Sequence, residues 1–245
     1  MLSVIIPALN EAAQIAATLR RVRAILRGDD EVIVVDGGST DRTRAVAARL
    51  GARVVSSERG RGTQMNAGAR AATGDVLLFL HADTLLPPQA ADLILRAGED
   101  PDVLGGNFVL LFDAPGLLPR LFATVYNARS RRSRLFYGDS AVWVRRAVFD
   151  ALGGYAEATL MEDWAFCLAL RAEAKHRHPT LPLSQILPLI ESPVVTSARR
   201  FHGRRGLAWR MVGTWTLLHL LYALGVPTDA LERRLYPPAD AKPSP

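Results

Sequence analysis

Leu2-Ser3-Val4-Ile5-Ile6-Pro7 is a short apolar run that stops at a proline and gives way to Ala8-Leu9-Asn10-Glu11. A continuous apolar run of this length, closed by turn residues, reads as a buried strand. Asn10 is placed to cap a helix on which Ile15, Leu19, Val22 and Leu26 fall on one face. The pattern then repeats. Glu31 to Val35 is a second strand, ending at Asp36 and the turn Gly37-Gly38-Ser39. Ser39 or Thr40 caps a helix running to about Leu50, where Gly51 stops it. Arg53 to Ser56 is a third strand, Glu58 to Gly62 a loop, Thr63 to Ala72 an alanine-rich helix, and Val76 to Leu80 a fourth strand leading to His81-Ala82-Asp83. Strands alternating with helices over eighty residues imply an α/β fold with a mostly parallel sheet flanked by helices. Ligands of such sheets bind beyond the carboxyl ends of the strands. Asn10, Asp36, Glu58 and His81-Ala82-Asp83 all lie there.

The second half is less regular. Gly105 to Phe112 and Phe136 to Val144 read as strands of a mixed sheet; Leu117 to Ser130, Val148 to Leu152 and Glu162 to Glu173 read as helices. His178 to Pro193 holds four prolines and reads as a loop, with a short strand at Val194 to Thr196. Gly206 to Leu224 is an apolar helix, and the tail from Pro237 has a disordered composition. The chain therefore divides into an α/β domain over 1–203, a helical extension over 204–236 suited to packing, a dimer or a membrane interface, and a tail over 237–245.

An apolar fraction of 49% and a charged fraction of 22% suit a globular domain with a sizeable core. The net charge of +6 suits a handler of phosphates, nucleic acid or an anionic surface without choosing among them. Cys167 is the one cysteine, so no intrachain disulfide forms, as in a reducing compartment. Met1 leads straight into the first strand with no signal-peptide pattern. The run Met211 to Val226, interrupted by His219, is shorter than the roughly 20 residues of a spanning helix. These features favour a cytoplasmic protein and leave open a peripheral contact with the inner face of the membrane, or a homodimer, through 206–226.

Five constellations carry chemistry. The turn Pro7 to Glu11 offers amides to an anion or a base edge. Asp36 at a strand end is of the type that accepts hydrogen bonds from a nucleoside, and Gly37-Gly38 lets the backbone approach a ligand. Asp83 is a hard oxygen ligand for a divalent cation, with His81 as a second ligand or a donor to phosphate. Glu162 and Asp163 open a helix, where the dipole favours their charge and a general base is well placed. In Ser197 to His202, Arg199 and Arg200 offer planar forks for phosphate. Each has a plainer reading as a cap, a charged helix start or a solvated basic turn. Arg129, Arg131, Arg132 and Arg134 read as solvated surface, Cys167 as packing, and His176 and His178 as exposed. No G-x-G-x-x-G is present, which argues against a dinucleotide fold.

Taken in order, these segments resemble the family 2 glycosyltransferases, over roughly residues 2 to 225. Ser3 to Glu11 is similar to that family's first strand and turn, Val35 to Thr43 to its nucleoside-binding turn, His81-Ala82-Asp83 to its D-x-D metal motif, Glu162-Asp163 to its catalytic E-D motif, and Ser197 to Phe201 to a worn Q-x-x-R-W. Gly60 to Gly68, Phe79 to Thr84, Tyr137-Gly138-Asp139 and Val195 to Arg200 are similar to a bacterial subgroup labelled arsenosugar-biosynthesis glycosyltransferases. Two departures stand out: His81 replaces the first Asp of D-x-D, and Lys175 to Ser192 is longer than usual.

The resemblance implies a GT-A-like fold and a nucleotide-sugar donor transferred, with inversion, to the hydroxyl of an unidentified acceptor. Pro7, Ala8, Asn10, Glu11, Asp36 and Gly38 would hold the donor, with Arg61 reaching it from a flexible loop. Asp83, with His81, would hold Mg²⁺ or Mn²⁺. Asp163 would be the base, with Glu162 the second choice, and Arg200 with His202 would steady the departing diphosphate. A non-catalytic nucleotide-sugar-binding protein of the same fold is the alternative. A pyrophosphorylase would carry a Gly-rich, lysine-bearing first turn, which is absent here, and a nucleic-acid module would interleave basic and aromatic residues; no nucleic-acid partner is expected.

Overall fold

A computed structural model describes residues 1–157, 160–199 and Leu221. Its strands are β1 (Leu2–Ala8), β2 (Glu31–Asp36), β3 (Arg53–Ser56), β4 (Val76–Phe79), β5 (Thr84–Leu85), β6 (Gly105–Phe112), β7 (Val142–Arg145) and β8 (Leu189–Thr196). Its helices are α1 (Ile15–Ile25), α2 (Thr43–Arg49), α3 (Arg61–Ala71), α4 (Ala90–Ala97), α5 (Leu117–Ser133), α6 (Arg146–Ala151), α7 (Glu162–Arg177) and α8 (Leu183–Ile186), with a 3₁₀ turn at Gly138–Ser140. The strand order is β3-β2-β1-β4-β7-β6-β8-β5. The first four strands in that order pair in parallel, and β6 and β8 also run parallel, while β7 and β5 pair antiparallel to their neighbours. This is the mixed, largely parallel sheet that the alternation of elements predicts.

The two faces of the sheet carry separate cores, because successive side chains of a strand point to opposite sides. Leu2, Val4, Ile6 and Ala8 of β1 pack with Ile15, Leu19 and Val22 of α1 on one face. Ile5 packs with Met65 and Ala69 of α3, and with Phe166 and Cys167 of α7, on the other. Both faces of the parallel strands are covered, as parallel sheets require.

Several elements differ from the sequence expectation. The apolar run Phe136 to Val144 is not one strand. The 3₁₀ turn and a left-handed Ala141 (φ 54°) interrupt it, and only Val142 onward joins the sheet. The proline-rich stretch 178–193 is not simply a loop: it holds α8, and β8 begins at Leu189. The β6–β8 register shifts between Phe108 and Leu110, opposite the segment containing Pro193. An irregular position tolerates a residue that cannot donate to the ladder. Asn10 does not cap α1, whose N-cap is Gln14, and neither Ser39 nor Thr40 caps α2, which is preceded by Arg42. The apolar segment 206–226, the extension over 204–236 and the tail lie outside the described residues apart from Leu221.

At Gly68 of α3, an added Cβ would sit 2.3 Å from Ile5 Cγ2 and 2.9 Å from Val35 Cγ2. Both partners are fully buried on central strands. Gly68→Ala is therefore expected to destabilise the fold by about 1–3 kcal/mol through overpacking. A denaturation midpoint equal to or above that of the parent chain would contradict this close approach.

Candidate active site

The carboxyl ends of β1 and β2 carry two turns that are stitched to each other. The Asn10 amide donates to Ser39 Oγ (2.9 Å), Glu11 N–H to Thr43 Oγ1 (2.8 Å) and Ala12 N–H to Asp41 Oδ2 (3.1 Å). In return Asn10 Oδ1 accepts from the amides of Thr40 (2.9 Å) and Asp41 (3.4 Å). The left-handed backbone of Asn10 (φ 55°) turns its side chain into the second turn, and Asn tolerates that conformation better than most residues. The Thr43 hydroxyl, bonded to Asp41, lowers the pKa of that carboxyl.

Asp36 lies inside its own turn. It is 1% exposed and accepts the amides of Gly38 (3.2 Å) and Ser39 (3.1 Å). Gly38, at φ 92°, is exposed on the rim. Pro7 and Ala8 are part of β1 itself, and Ala8 is buried.

The buried amide of Gln64 locks the two strand ends together, donating to the carbonyls of Ala8 (2.9 Å) and Val35 (2.7 Å). Gly37 leaves room for it, since an added Cβ there would stand 3.0 Å from the Gln64 amide. Two residues on, Asn66 donates to the Tyr155 carbonyl (2.8 Å) and accepts the Tyr155 amide (2.9 Å). Gln64 and Asn66 shape the site, yet sequence reasoning assigns them nothing. The available signal is the pair of amides set between glycines 62 and 68 on a helix without an apolar stripe.

Arg61 is the first residue of α3 rather than part of a loop, because the helix begins two residues before the expected Thr63. Its guanidinium lies 3.1 Å from Glu162 Oε1. Burial works against the charge on Arg61, but Glu162, Asp163 and Asp139 together raise its pKa. Glu162 is 3% exposed. Burial pushes its pKa up to about 7; Arg61 opposes that shift and Asp163 adds to it.

Asp163 is less deeply buried than Glu162. Its Oδ2 accepts the Gly138 amide (3.0 Å) and its Oδ1 the Trp164 amide (2.8 Å), which fixes the carboxylate. His81 reaches the same place. A Cβ on Gly138 would lie 2.9 Å from His81 Nε2 and 3.6 Å from Asp163 Oδ2. The broken strand at 136–141 thus supplies the amide that orients Asp163.

Beside Asp163 stands an aromatic wall. Tyr137 and Trp164 stack at 5.2 Å, and the Arg129 guanidinium lies 4.4 Å from the Tyr137 ring centroid while donating to its hydroxyl (2.8 Å). Burial raises the Tyr137 pKa to about 12, so the hydroxyl stays protonated. Arg129 is therefore not the solvated residue that its charge cluster suggests. Arg131, by contrast, forms a two-pronged surface pair with Glu191. Cys167 packs as expected: its Sγ accepts the Phe136 amide, and burial pushes its pKa up to about 12.

Asp83 stands immediately before β5. Its Oδ2 accepts from Arg199 Nη2 (2.7 Å), and the same guanidinium pairs with both oxygens of Glu11 (3.1 and 3.2 Å). Arg199 is thus the arginine that the described structure brings to this corner; Arg200 and His202 lie outside the described residues. No group of three or more His, Cys, Asp or Glu is gathered as a metal cage among the described residues. The gathering of Glu11 and Asp83 around a cation nevertheless fits an ion held by one or two carboxylates and completed by ligand phosphates, a common mode for Mg²⁺. No helix among the described residues is long and apolar enough to cross a membrane.

Residues 3–153 match the model of glycosyl transferase family 2. A PGL/p-HBAD biosynthesis glycosyltransferase of Mycobacterium bovis is 32% identical over 189 residues, covering 68% of each chain. Two solved structures are similar in fold. One is glucosyl-3-phosphoglycerate synthase from Mycobacterium tuberculosis in complex with Mn²⁺, UDP-glucose and phosphoglyceric acid, with a TM-score of 0.61 and 22% identity over 93% of this chain and 80% of that one. The other is a mannosyltransferase from Pyrobaculum calidifontis in complex with GDP-mannose and Mn²⁺, with a TM-score of 0.63 and 22% identity over 96% of this chain and 69% of that one.

A raised pKa at Glu162 has a definite consequence for stability. Between the ordinary value near 4.5 and about 7, the folded chain keeps a proton that the unfolded chain has released. Protonation therefore favours folding in that window, and the contribution is lost as pH rises through about 7. Glu162→Gln is expected to flatten this part of the stability profile, followed by denaturant unfolding from pH 4.5 to 7.5. An unaltered slope in the variant would refute the assignment.

Proposed function

The chain belongs to glycosyl transferase family 2, and from that premise we propose an inverting transfer of a sugar from a nucleoside-diphosphate donor to an acceptor hydroxyl, with Asp163 as general base. The observation that carries this reading is the Asp163 carboxylate, fixed by two backbone amides and placed beside His81 on the rim that also bears Glu11 and Asp83. The fold neighbours determined with nucleotide sugars and Mn²⁺ support the same choice of donor and cation.

Each residue then has a task. The interlocked turns at Asn10 and Gly38 receive the nucleoside, with Asp36 holding the second turn in shape. Asp83, helped by Glu11, presents carboxylate oxygen to Mg²⁺ or Mn²⁺. The bound ion would neutralise charge on the departing diphosphate. The acceptor hydroxyl lies against the Tyr137–Trp164 wall and gives its proton to Asp163 as its oxygen attacks the anomeric carbon. The bond to the diphosphate breaks on the far side, inverting the centre. Glu162 is too deeply buried and too closely paired with Arg61 to receive that proton directly. Its task is to hold Arg61 at the start of α3. Arg200 and His202 would steady the departing diphosphate.

General base catalysis contributes roughly 10²–10⁴-fold. Asp163→Asn should lower kcat within that range and leave donor affinity nearly unchanged; turnover at the parental rate would rule out Asp163 as the base. Donor binding is read by thermal shift with UDP, GDP and their sugars, with and without Mn²⁺. A ligand at a hundredfold excess over Kd stabilises by about 2.7 kcal/mol. A Mn²⁺-dependent rise with one nucleotide, lost in Asp83→Ala, is the expected result. A folded sample that responds to none of them would overturn the donor site.

A further inference from the structure

Resting on this donor site, we propose that Arg199 is a built-in counter-ion of the Glu11–Asp83 corner, which a nucleoside diphosphate must draw away before a divalent cation can take Asp83, so that nucleotide and cation bind cooperatively.

The placement of Arg199 is not left to a flexible side chain alone. β5 and β8 pair Thr84 with Thr196, and the two buried hydroxyls share a hydrogen bond of 2.9 Å. The Ser197 amide donates to the Asp83 carbonyl (3.2 Å), and the Ala198 amide to Asp113 Oδ1 (2.6 Å). The two residues that precede Arg199 are therefore tied down, Ser197 to the backbone of Asp83 itself and Ala198 to Asp113. Arg199 grips Glu11 with two nitrogens and shares one of them with Asp83 Oδ2.

A guanidinium and a divalent cation cannot both occupy that oxygen, since their like charges would stand within bonding distance of one carboxylate. A diphosphate offers Arg199 the same planar two-oxygen partner that Glu11 offers, with more negative charge. About half of the Arg199 side chain is exposed, at 48%, so it is free to turn toward the cleft. Once it does, Asp83 is released. With His81 in place of a second acidic residue in the motif, the corner has little charge to spare for a cation while Arg199 remains on it.

The test is Mn²⁺ binding to the intact chain, read from the electron paramagnetic resonance signal of free Mn²⁺, first with the metal alone and then with saturating UDP or GDP, each measured against the same mixture without protein so that Mn²⁺ chelated by the nucleotide alone is subtracted. Allosteric couplings commonly amount to about 5–150-fold, and an enhancement of that order is expected in the parent chain with one of the nucleotides. Arg199→Gln should bind Mn²⁺ alone more tightly than the parent, and its enhancement should shrink several-fold. Arg199→Lys, which keeps the charge without the fork, should fall between them and is the variant to read if Arg199→Gln does not fold. A parental enhancement that both variants retain, with unchanged affinity for Mn²⁺ alone, overturns the role of Arg199 and leaves the donor site standing. An absence of any nucleotide response in the parent, by resonance and by thermal shift, overturns the donor site and this proposal together.

Discussion

The geometry of the site depends on a helix that buries polar side chains. α3 buries Gly62, Gln64, Met65, Asn66, Gly68 and Ala69 rather than an apolar stripe. Gly68 lets the helix lie directly on β1 and β2, and that closeness allows the Gln64 amide to reach the carbonyls where the two strands end. A buried amide without partners would cost about 1–3 kcal/mol, so a Gln64 this deep holds only where the carbonyls of Ala8 and Val35 stand in place. Asn66 binds the Tyr155 backbone in the same way. At the helix start, Gly62 passes so near the Ala156 carbonyl that a Cβ would lie 2.2 Å from it, while Arg61 meets Glu162. One helix thus fixes the ends of β1 and β2 and the Glu162–Asp163 start of α7 relative to each other.

Charge in the cleft is organised on the same principle at both ends. Each acidic corner is braced by one arginine, Arg61 on Glu162 and Arg199 on Glu11 and Asp83. The two corners differ in burial. Glu162 is out of reach of solvent, and the cost of burying its charge outweighs the pull of Arg61, which is why its pKa rises. Glu11 and Asp83 are partly exposed, so their pairing with Arg199 is more strongly screened and more readily exchanged. The buried pair suits a fixed support, and the open pair is the one that solvent and salt can loosen.

How far the sequence foretold this varies with the range of the forces involved. β3 and β6 have the bounds read from the sequence, and β1, β2 and β4 differ by one residue, because apolar runs closed by turn residues are a local signal. Asp163, Asp83 and the turn at Asp36 were legible as candidates for the same reason. What escaped was set by distant partners. Asn10 looks like a helix cap, yet its oxygen serves amides thirty residues away. Tyr137 to Ser140 looks like strand, yet it turns so that Gly138 can meet Asp163 and Tyr137 can meet Trp164. The prolines between 178 and 193 suggest a loop, while β6 recruits Leu189 and Ile190 as a parallel partner. Arg199 is one of two adjacent arginines in the sequence, and its bond to Asp83 follows from the pairing of β5 with β8, which brings residues 83 and 197 together.

Cys167, described above as plain packing, makes the molecule its own clock. It is the one thiol in the chain, it is fully buried, and a pKa near 12 leaves almost none of it as the reactive thiolate near neutral pH. An alkylating reagent can therefore find it only while α7 parts from the segment 134–136 and the core around it. The same helix begins with Glu162 and Asp163, so the rate of labelling counts the moments when that end of the site comes apart, with no reporter built into the chain.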